Sequence, residues 1–327
     1  MRSGPALWPA VFIAMIALAG CGGNTTVRGA LPPANPGPSP AVSPVPGPSP
    51  TPLPAVPVVA HVVLVVLENH SLPQVIGNPS MPFLNSLASQ NSLATNYFAN
   101  VHNSIGNYFM LTAGQIENTD DNFAGTINDD NIVRELTTAG KSWKAYMESL
   151  PAQGYTGGDV LPYVKHHDPF TYFTDVLDSS SQGNQIVPFS QLSTDLAAGT
   201  LPSFAFVVPN LEDDAHNCPD DGTSCQDSDK LAHADNWLQT NIQPLLVSPA
   251  FANSVLIITW DEGVATDTAN GGGQVATVLV GAHVRTQFQS VTFYQHQSTL
   301  GLIMDLLGVA NHPGLSASAP SMIEFFQ

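Results

Sequence analysis

The sequence predicts an α/β protein, a three-layer α/β/α sandwich around a mostly parallel central sheet. Three observations carry that expectation. Apolar, β-branched runs of strand length recur along the chain, helical periodicities separate them, and polar pairs follow the strongest runs directly. His61–Leu67 comes first, a continuous apolar run of the kind a parallel strand covered on both faces requires. Residues 83–90 read as a helix, 94–98 as a short strand, and 131–139 as a second helix. Residues 141–146 follow as a strand with Trp143 toward the core. SFAFVV at 203–208 and VLIITW at 255–260 are strong strands, and between them 234–246 has helical spacing through Trp237, Leu238, Ile242 and Leu245. VATVLV at 275–280 is a further strand, 300–307 a late helix, and no internal repeat is present.

Composition bounds the function. With 327 residues, 43% of them hydrophobic, the chain has ample material for one large domain. Only 8 residues are basic against 26 acidic, a formal net charge of −18, which argues against nucleic acid or an anionic bilayer as partner. The N-terminus reads as an export signal over residues 1–20: Arg2, an apolar stretch at 6–17 too short for a comfortable span, then Leu18-Ala19-Gly20-Cys21. Leu-Ala-Gly-Cys resembles the bacterial lipobox, which implies a lipid anchor on Cys21 as the only membrane attachment. Residues 31–57 hold twelve prolines and no charge, a polyproline II stalk able to reach up to ~80 Å at about 3.1 Å per residue. The folded domain is therefore expected over 58–327. Cys218 and Cys225, enclosing PDDGTS, read as a local disulfide, with a zinc site as the weaker alternative for two thiolates alone.

The polar pairs at strand ends point to a site. Glu68-Asn69, Pro209-Asn210 and Asp261-Glu262 each follow the last residue of a predicted strand. In open α/β sheets the ligand crevice lies at the carboxyl ends of parallel strands, so three such pairs converge on one rim. Two carboxylates and an amide carbonyl suit a hard divalent cation, and His216 and His296 would suit zinc or iron as well. Ser104, in NVHNSIGNYFMLTAG at 100–114, falls at a predicted helix start, where it is either an N-cap or a hydroxyl poised beside an anion site. No G-x-S-x-G elbow, Walker loop or GxGxxG is present, and GGGQ at 271–274 reads as a flexible loop.

In order along the chain, VVLVVLENHSLPQVIGNPSMPFLNSLA, VHNSIGNYFMLTAG, WKAYMESLP, YVKHHDPFTYF, LPSFAFVVPNLEDDAHN, DNWL, ITWDEG, VGAHVR and HQSTLGLIMDLLG resemble one family. It is the bacterial phosphoesterase family of secreted acid phosphatases and phosphatidylcholine-type phospholipases C, which is alkaline phosphatase-like in fold. The likeness covers most of residues 60–310 and is strongest to the short secreted acid phosphatases of actinobacteria, some of which act on phosphoinositides. The resemblance implies Ser104 as nucleophile, and Glu68, Asn69, Ser104, Asp261 and Glu262 as the set holding a divalent metal ion. Asn69 would also position the phosphate. It places Asp214, His167, His216 and His296 around the active site, with His167 and His216 stabilising the transferred phosphoryl group or protonating the leaving group. His102 is a weaker candidate, and His283 matches the family but reads more simply as closing a strand end. This chain departs from the family at Asn103 and Gly106, where prolines are usual, and at Glu262, where a second Asp is usual. The implied substrate is a small-molecule phosphate monoester or a phospholipid headgroup. A phospholipase C-type diesterase, with an apolar pocket around Tyr108, Phe109 and Phe170, and a non-catalytic surface lipoprotein are the alternatives.

Overall fold

Ten strands and nine α-helices alternate in the computed structural model, which describes residues 56–219, 222 and 224–327. The expected signal segment, Cys21 anchor and most of the proline-rich stalk lie outside the described residues. The strands are β1 His61–Leu67, β2 Ser92–Ala94, β3 Tyr97–Phe98, β4 Trp143–Met147, β5 Ile186–Pro188, β6 Phe204–Val208, β7 Ser254–Trp260, β8 Thr277–Gly281, β9 Phe288–Ser290 and β10 Tyr294–Gln295. The helices are α1 Leu72–Val75, α2 Pro82–Gln90, α3 Ser104–Thr112, α4 Ile132–Thr138, α5 Thr174–Leu177, α6 Ser180–Gly183, α7 Gln191–Ala198, α8 Asp227–Leu246 and α9 His296–Leu307. Among the described residues no helix is long and apolar enough to cross a membrane.

Eight strands form one sheet in the order β5-β4-β6-β1-β7-β8-β2-β9, and β3 pairs with β10 outside it. Every pairing in the large sheet is parallel except the two made by β8, which runs against β7 and β2. The hydrophobic run of β1 explains its central place: Val62 through Leu67 are all 0% exposed, covered on both faces. Helices α3 and α9 pack together, and α2 and α8 form a second pair, supplying the outer layers. The α2 start is capped from another helix, since Asp235 of α8 accepts from Phe83 N and Leu84 N at 2.8 Å each.

Several elements differ from the sequence reading. The single strand expected over 94–98 is two: β2 pairs with β8 and β9 in the large sheet, and β3 pairs with β10 outside it. The strands β5 and β9 are three residues each, too short to show a period. Helix α8 starts at Asp227, seven residues before the expected 234, because its first turn is polar and capped by Asp229 Oδ2 accepting from Gln226 N at 3.0 Å. Cys218 and Cys225 are disulfide-bonded and close the loop that leads into α8.

Candidate active site

Three neighbouring parallel strands, β6, β1 and β7, deliver the site at their carboxyl ends. Glu68 is the first residue after β1 and Asp261 the first after β7, and Asp214 lies six residues beyond β6; all three are fully buried. Backbone bonds tie the ends together: Glu68 N donates to Asp214 O and Asp261 N to Leu67 O, both at 2.9 Å. Glu68 is the hub. Its Oε2 accepts from Ser104 Oγ at 3.1 Å and its Oε1 from Tyr108 OH at 2.6 Å. His167 Nε2 stands 3.3 Å from Glu68 Oε1, and His167 Nδ1 stands 3.7 Å from Asp214 Oδ2. The His167 ring stacks on Tyr108, with centroids 5.0 Å apart.

Asp261 faces Glu68 from the other side. Its Oδ1 accepts from Asn69 N at 3.2 Å and Glu262 N at 2.5 Å, leaving Oδ2 buried and unpartnered. Asn69 makes that bond with φ at 53°, a left-handed conformation that asparagine tolerates better than most residues. Glu262 turns away toward α3, with Oε2 3.4 Å from Asn107 Nδ2 and Oε1 3.5 Å from His102 Nδ1. The structure brings Glu68, Asn69, Ser104 and Asp261 together, with Asp214 and His167, two residues also expected around the site, on the Glu68 side. His296 reaches the site only indirectly. Its Nε2 lies 2.6 Å from the Asp261 carbonyl and its Nδ1 3.1 Å from Tyr97 OH, so both nitrogens are used in holding the Asp261 turn.

Ser104 opens α3, and it is not the cap: Asp121, from the loop before α4, takes Ile105 N at 3.1 Å and Asn103 Nδ2 at 3.2 Å. The strand-to-helix loop carrying Ser104 is fixed from within by Asn107, whose Oδ1 accepts from Asn100 N and Val101 N at 3.0 and 3.2 Å. It is fixed from outside by the glycine run, which is therefore no flexible loop. Ala99 N donates to Gly273 O at 2.9 Å and Gly272 N to Ala99 O at 3.1 Å. Gly271 has φ of 113°, and a Cβ there would lie 2.0 Å from Asn100 O. Gly271→Ala is expected to cost roughly 1–3 kcal/mol of stability. It should also displace the Ser104 loop, read as a lower melting temperature together with a reduced turnover rate.

The electrostatics of the site suit a cation. Burial, aided by Asp261 and Asp214, raises the Glu68 carboxyl well above its ordinary value. Burial likewise raises Asp214, and pushes Asp261 up to about 7 and Glu262 up to about 9. No Lys or Arg among the described residues pairs with any of the four. Asn69 Oδ1, His167 Nε2, Asp214 Oδ2 and Asp261 Oδ2 are buried with no hydrogen-bond partner. Ligand atoms of Glu68, His167 and Asp214 lie within 4.8 Å of one another, a group that could hold a metal ion. Oxygen and imidazole donors left unsatisfied around buried carboxyls fit a divalent cation.

The histidines divide by burial. His167 is fully enclosed and burial lowers its basicity well below the usual imidazole range, so it suits a neutral ligand better than the protonated role expected for it. Burial lowers His296 to about 4. His216 is half-buried at the rim, its N bonded to Asp214 Oδ1 at 2.7 Å and its Nδ1 2.8 Å from Asn217 Oδ1. Tyr108, Phe109 and Phe170, the residues expected around a diester pocket, are fully buried core residues. Sequence reasoning missed the Tyr108–Glu68 bond, whose signal was available: Tyr108 is four residues after Ser104, on the same helical face. Asp121 gave no signal, because its loop has no periodicity.

The fold is shared with solved structures of low identity. A protein of the alkaline phosphatase superfamily from Vibrio parahaemolyticus matches with a TM-score of 0.57 at 14% identity, over 78% of this chain and 68% of that one. A lipoteichoic acid synthase from Listeria monocytogenes matches with a TM-score of 0.56 at 13% identity, over 78% and 74%. On this scaffold a serine at a helix start faces buried carboxyls at the strand ends, and the family and relatives the chain matches mark the class as hydrolases acting on phosphate esters. The model of the Phosphoesterase family matches residues 78–310, and the chain belongs to that family. It is 34% identical over 278 residues to a phosphatidylinositol-3-phosphatase of Mycobacterium tuberculosis, covering 83% of this chain and 84% of the relative. It is 31% identical over 226 residues to a phosphate-repressible acid phosphatase of Penicillium chrysogenum, covering 66% of this chain and 52% of that longer protein.

Proposed function

We propose that this chain is an exported, metal-dependent acid phosphatase. It hydrolyses phosphate monoesters, phosphoinositides among them, through a phosphoseryl intermediate on Ser104. The observation that carries the reading is the Ser104 hydroxyl, 3.1 Å from Glu68 and ringed by buried carboxyls with unpartnered ligand atoms. The family and the phosphatase relatives supply the substrate class.

A divalent ion held by Glu68, Asp214 and His167, with Asn69 and Asp261 opposite, would neutralise phosphoryl oxygens and make the serine hydroxyl more acidic. The chain's own groups do the rest. Glu68 holds Ser104 Oγ in place, and the Asn107 and glycine bonds keep its loop rigid for in-line attack. Ser104 Oγ forms the bond to phosphorus as the bond to the ester oxygen breaks, and its proton passes to the Glu68 carboxylate that accepts from it. His216, half-buried at the rim, donates a proton to that leaving oxygen. Water then displaces Ser104 Oγ from phosphorus, and the serine regains its proton. The leader and Cys21 would hold the enzyme at the cell envelope on its proline-rich stalk.

The test is phosphate release from p-nitrophenyl phosphate and p-nitrophenylphosphorylcholine, with and without chelator. Rapid, chelator-sensitive cleavage of the monoester is expected. Preference for the diester would replace the reading with a phospholipase C-type one.

A further inference from the structure

The turn that carries Asp214 and His216 is held from two directions. From within, Asp214 N donates to Asn210 O at 2.9 Å, His216 N to Asp214 Oδ1 at 2.7 Å and Asn217 N to Leu211 O at 2.6 Å. Between the two site residues Ala215 stands at φ 79°, a left-handed conformation that alanine rarely adopts, so the turn relaxes unless something holds it. From outside, α8 supplies the hold. Lys230 Nζ donates to His216 O at 2.9 Å, after Ala215 in the chain. His233 lies three positions on, on the same face of the helix, and its Nε2 stands 2.8 Å from Asp213 Oδ1, before Ala215.

Lys230 spends its charge on this tie. It has no carboxylate within ion-pair distance among the described residues, and its bond is made to a neutral carbonyl. The imidazole is set by the next residue, since Asn217 Oδ1 lies 2.8 Å from His216 Nδ1. An amide oxygen only accepts, so Nδ1 carries the hydrogen of the neutral ring, and Nε2 is the nitrogen at which a proton is taken up and handed on. Proton transfer needs the donor within hydrogen-bond reach of the departing oxygen, so a displaced ring, or one offering the other nitrogen, loses its effect.

We propose that Lys230 and Asn217 are positioning residues for the leaving-group step: Lys230 fixes the backbone of His216 and Asn217 fixes its ring, so that Nε2 is the nitrogen offered to the ester oxygen. The inference rests on the phosphomonoesterase reading and adds to it the groups that act through His216.

The experiment measures kcat/KM for glycerol phosphate and for p-nitrophenyl phosphate in wild type, Lys230→Met and Asn217→Ala. The alkoxide of glycerol must be protonated as it leaves, whereas p-nitrophenolate is a stable anion that departs without help. Both esters carry the same phosphate charge, so loss of the Lys230 cation alone weakens them equally and cancels in the ratio. The ratio of glycerol ester to p-nitrophenyl ester is expected to fall roughly tenfold or more in each variant. It should recover in part in Lys230→Arg, which keeps a donor, and in Asn217→Asp, which keeps an acceptor. An unchanged ratio, with or without a common loss of rate, overturns the inference. Imidazole nitrogen NMR separates it from the monoesterase reading. Should wild type cleave neither ester, that reading falls, and a His216 ring that keeps its hydrogen on Nδ1 in wild type but not in Asn217→Ala still supports the positioning role. The same tautomer in both overturns it.

Discussion

Ser104→Ala is expected to lower kcat toward p-nitrophenyl phosphate by roughly 10³-fold or more, because no neighbouring group can take over bond formation to phosphorus. The side chain is small and its Oγ donates to Glu68, so the melting temperature should move by only a few degrees. A rate within tenfold of wild type would show that water, not this serine, attacks phosphorus. Trapping phosphoserine after an acid quench, present in wild type and absent in the variant, gives the same answer without relying on rates.

The second large effect is on metal and pH together. With chelator, the four buried carboxyls Glu68, Asp214, Asp261 and Glu262 must fold without a counter-charge. Each is raised in the folded state, Asp261 to about 7 and Glu262 to about 9, so the folded chain holds more protons than the unfolded chain above the ordinary carboxyl range. Stability is then fully present below that range and declines as pH rises through about 7 and about 9. Glu148 and Asp168, pushed by burial to about 7 and about 8, titrate in the same window, so the effect must be read as a difference with and without cation. A divalent cation at 100 times its dissociation constant should restore about 2.7 kcal/mol and should do most at alkaline pH. Equal stabilisation at all pH values would mean that the ion binds elsewhere. Activity is expected to vanish on chelation and to return on adding the ion back.

Much of this was legible because burial and site formation obey simple sequence rules. A strand covered on both faces must be apolar throughout, so β1, β6 and β7 stand out, and the first polar residues after them mark the rim. What stayed hidden depends on side chains meeting across long separations. Nothing in the order of residues reveals that His167 would slot between Glu68 and Asp214, that Asp121 would cap a helix sixteen positions earlier, or that Gly271 and Gly272 would press on the Ser104 loop. Family likeness placed His296 near the centre. Only geometry shows that both of its nitrogens are spent on Asp261 and Tyr97.

The place of β1 has a temporal consequence. It is the first strand among the described residues and lies in the middle of the sheet, yet its two partners arrive late: Val62 pairs with Phe204 on one side and with Val255 on the other. Loop-closure entropy makes such distant pairings slow and leaves the early strand waiting for them. A nascent chain thus holds Glu68 and Ser104 without Asp214 or Asp261, and the cluster of buried carboxyls around the serine is incomplete. Catalysis switches on only when nearly the whole polypeptide is present to close the sheet, so the enzyme is silent for as long as it is being made.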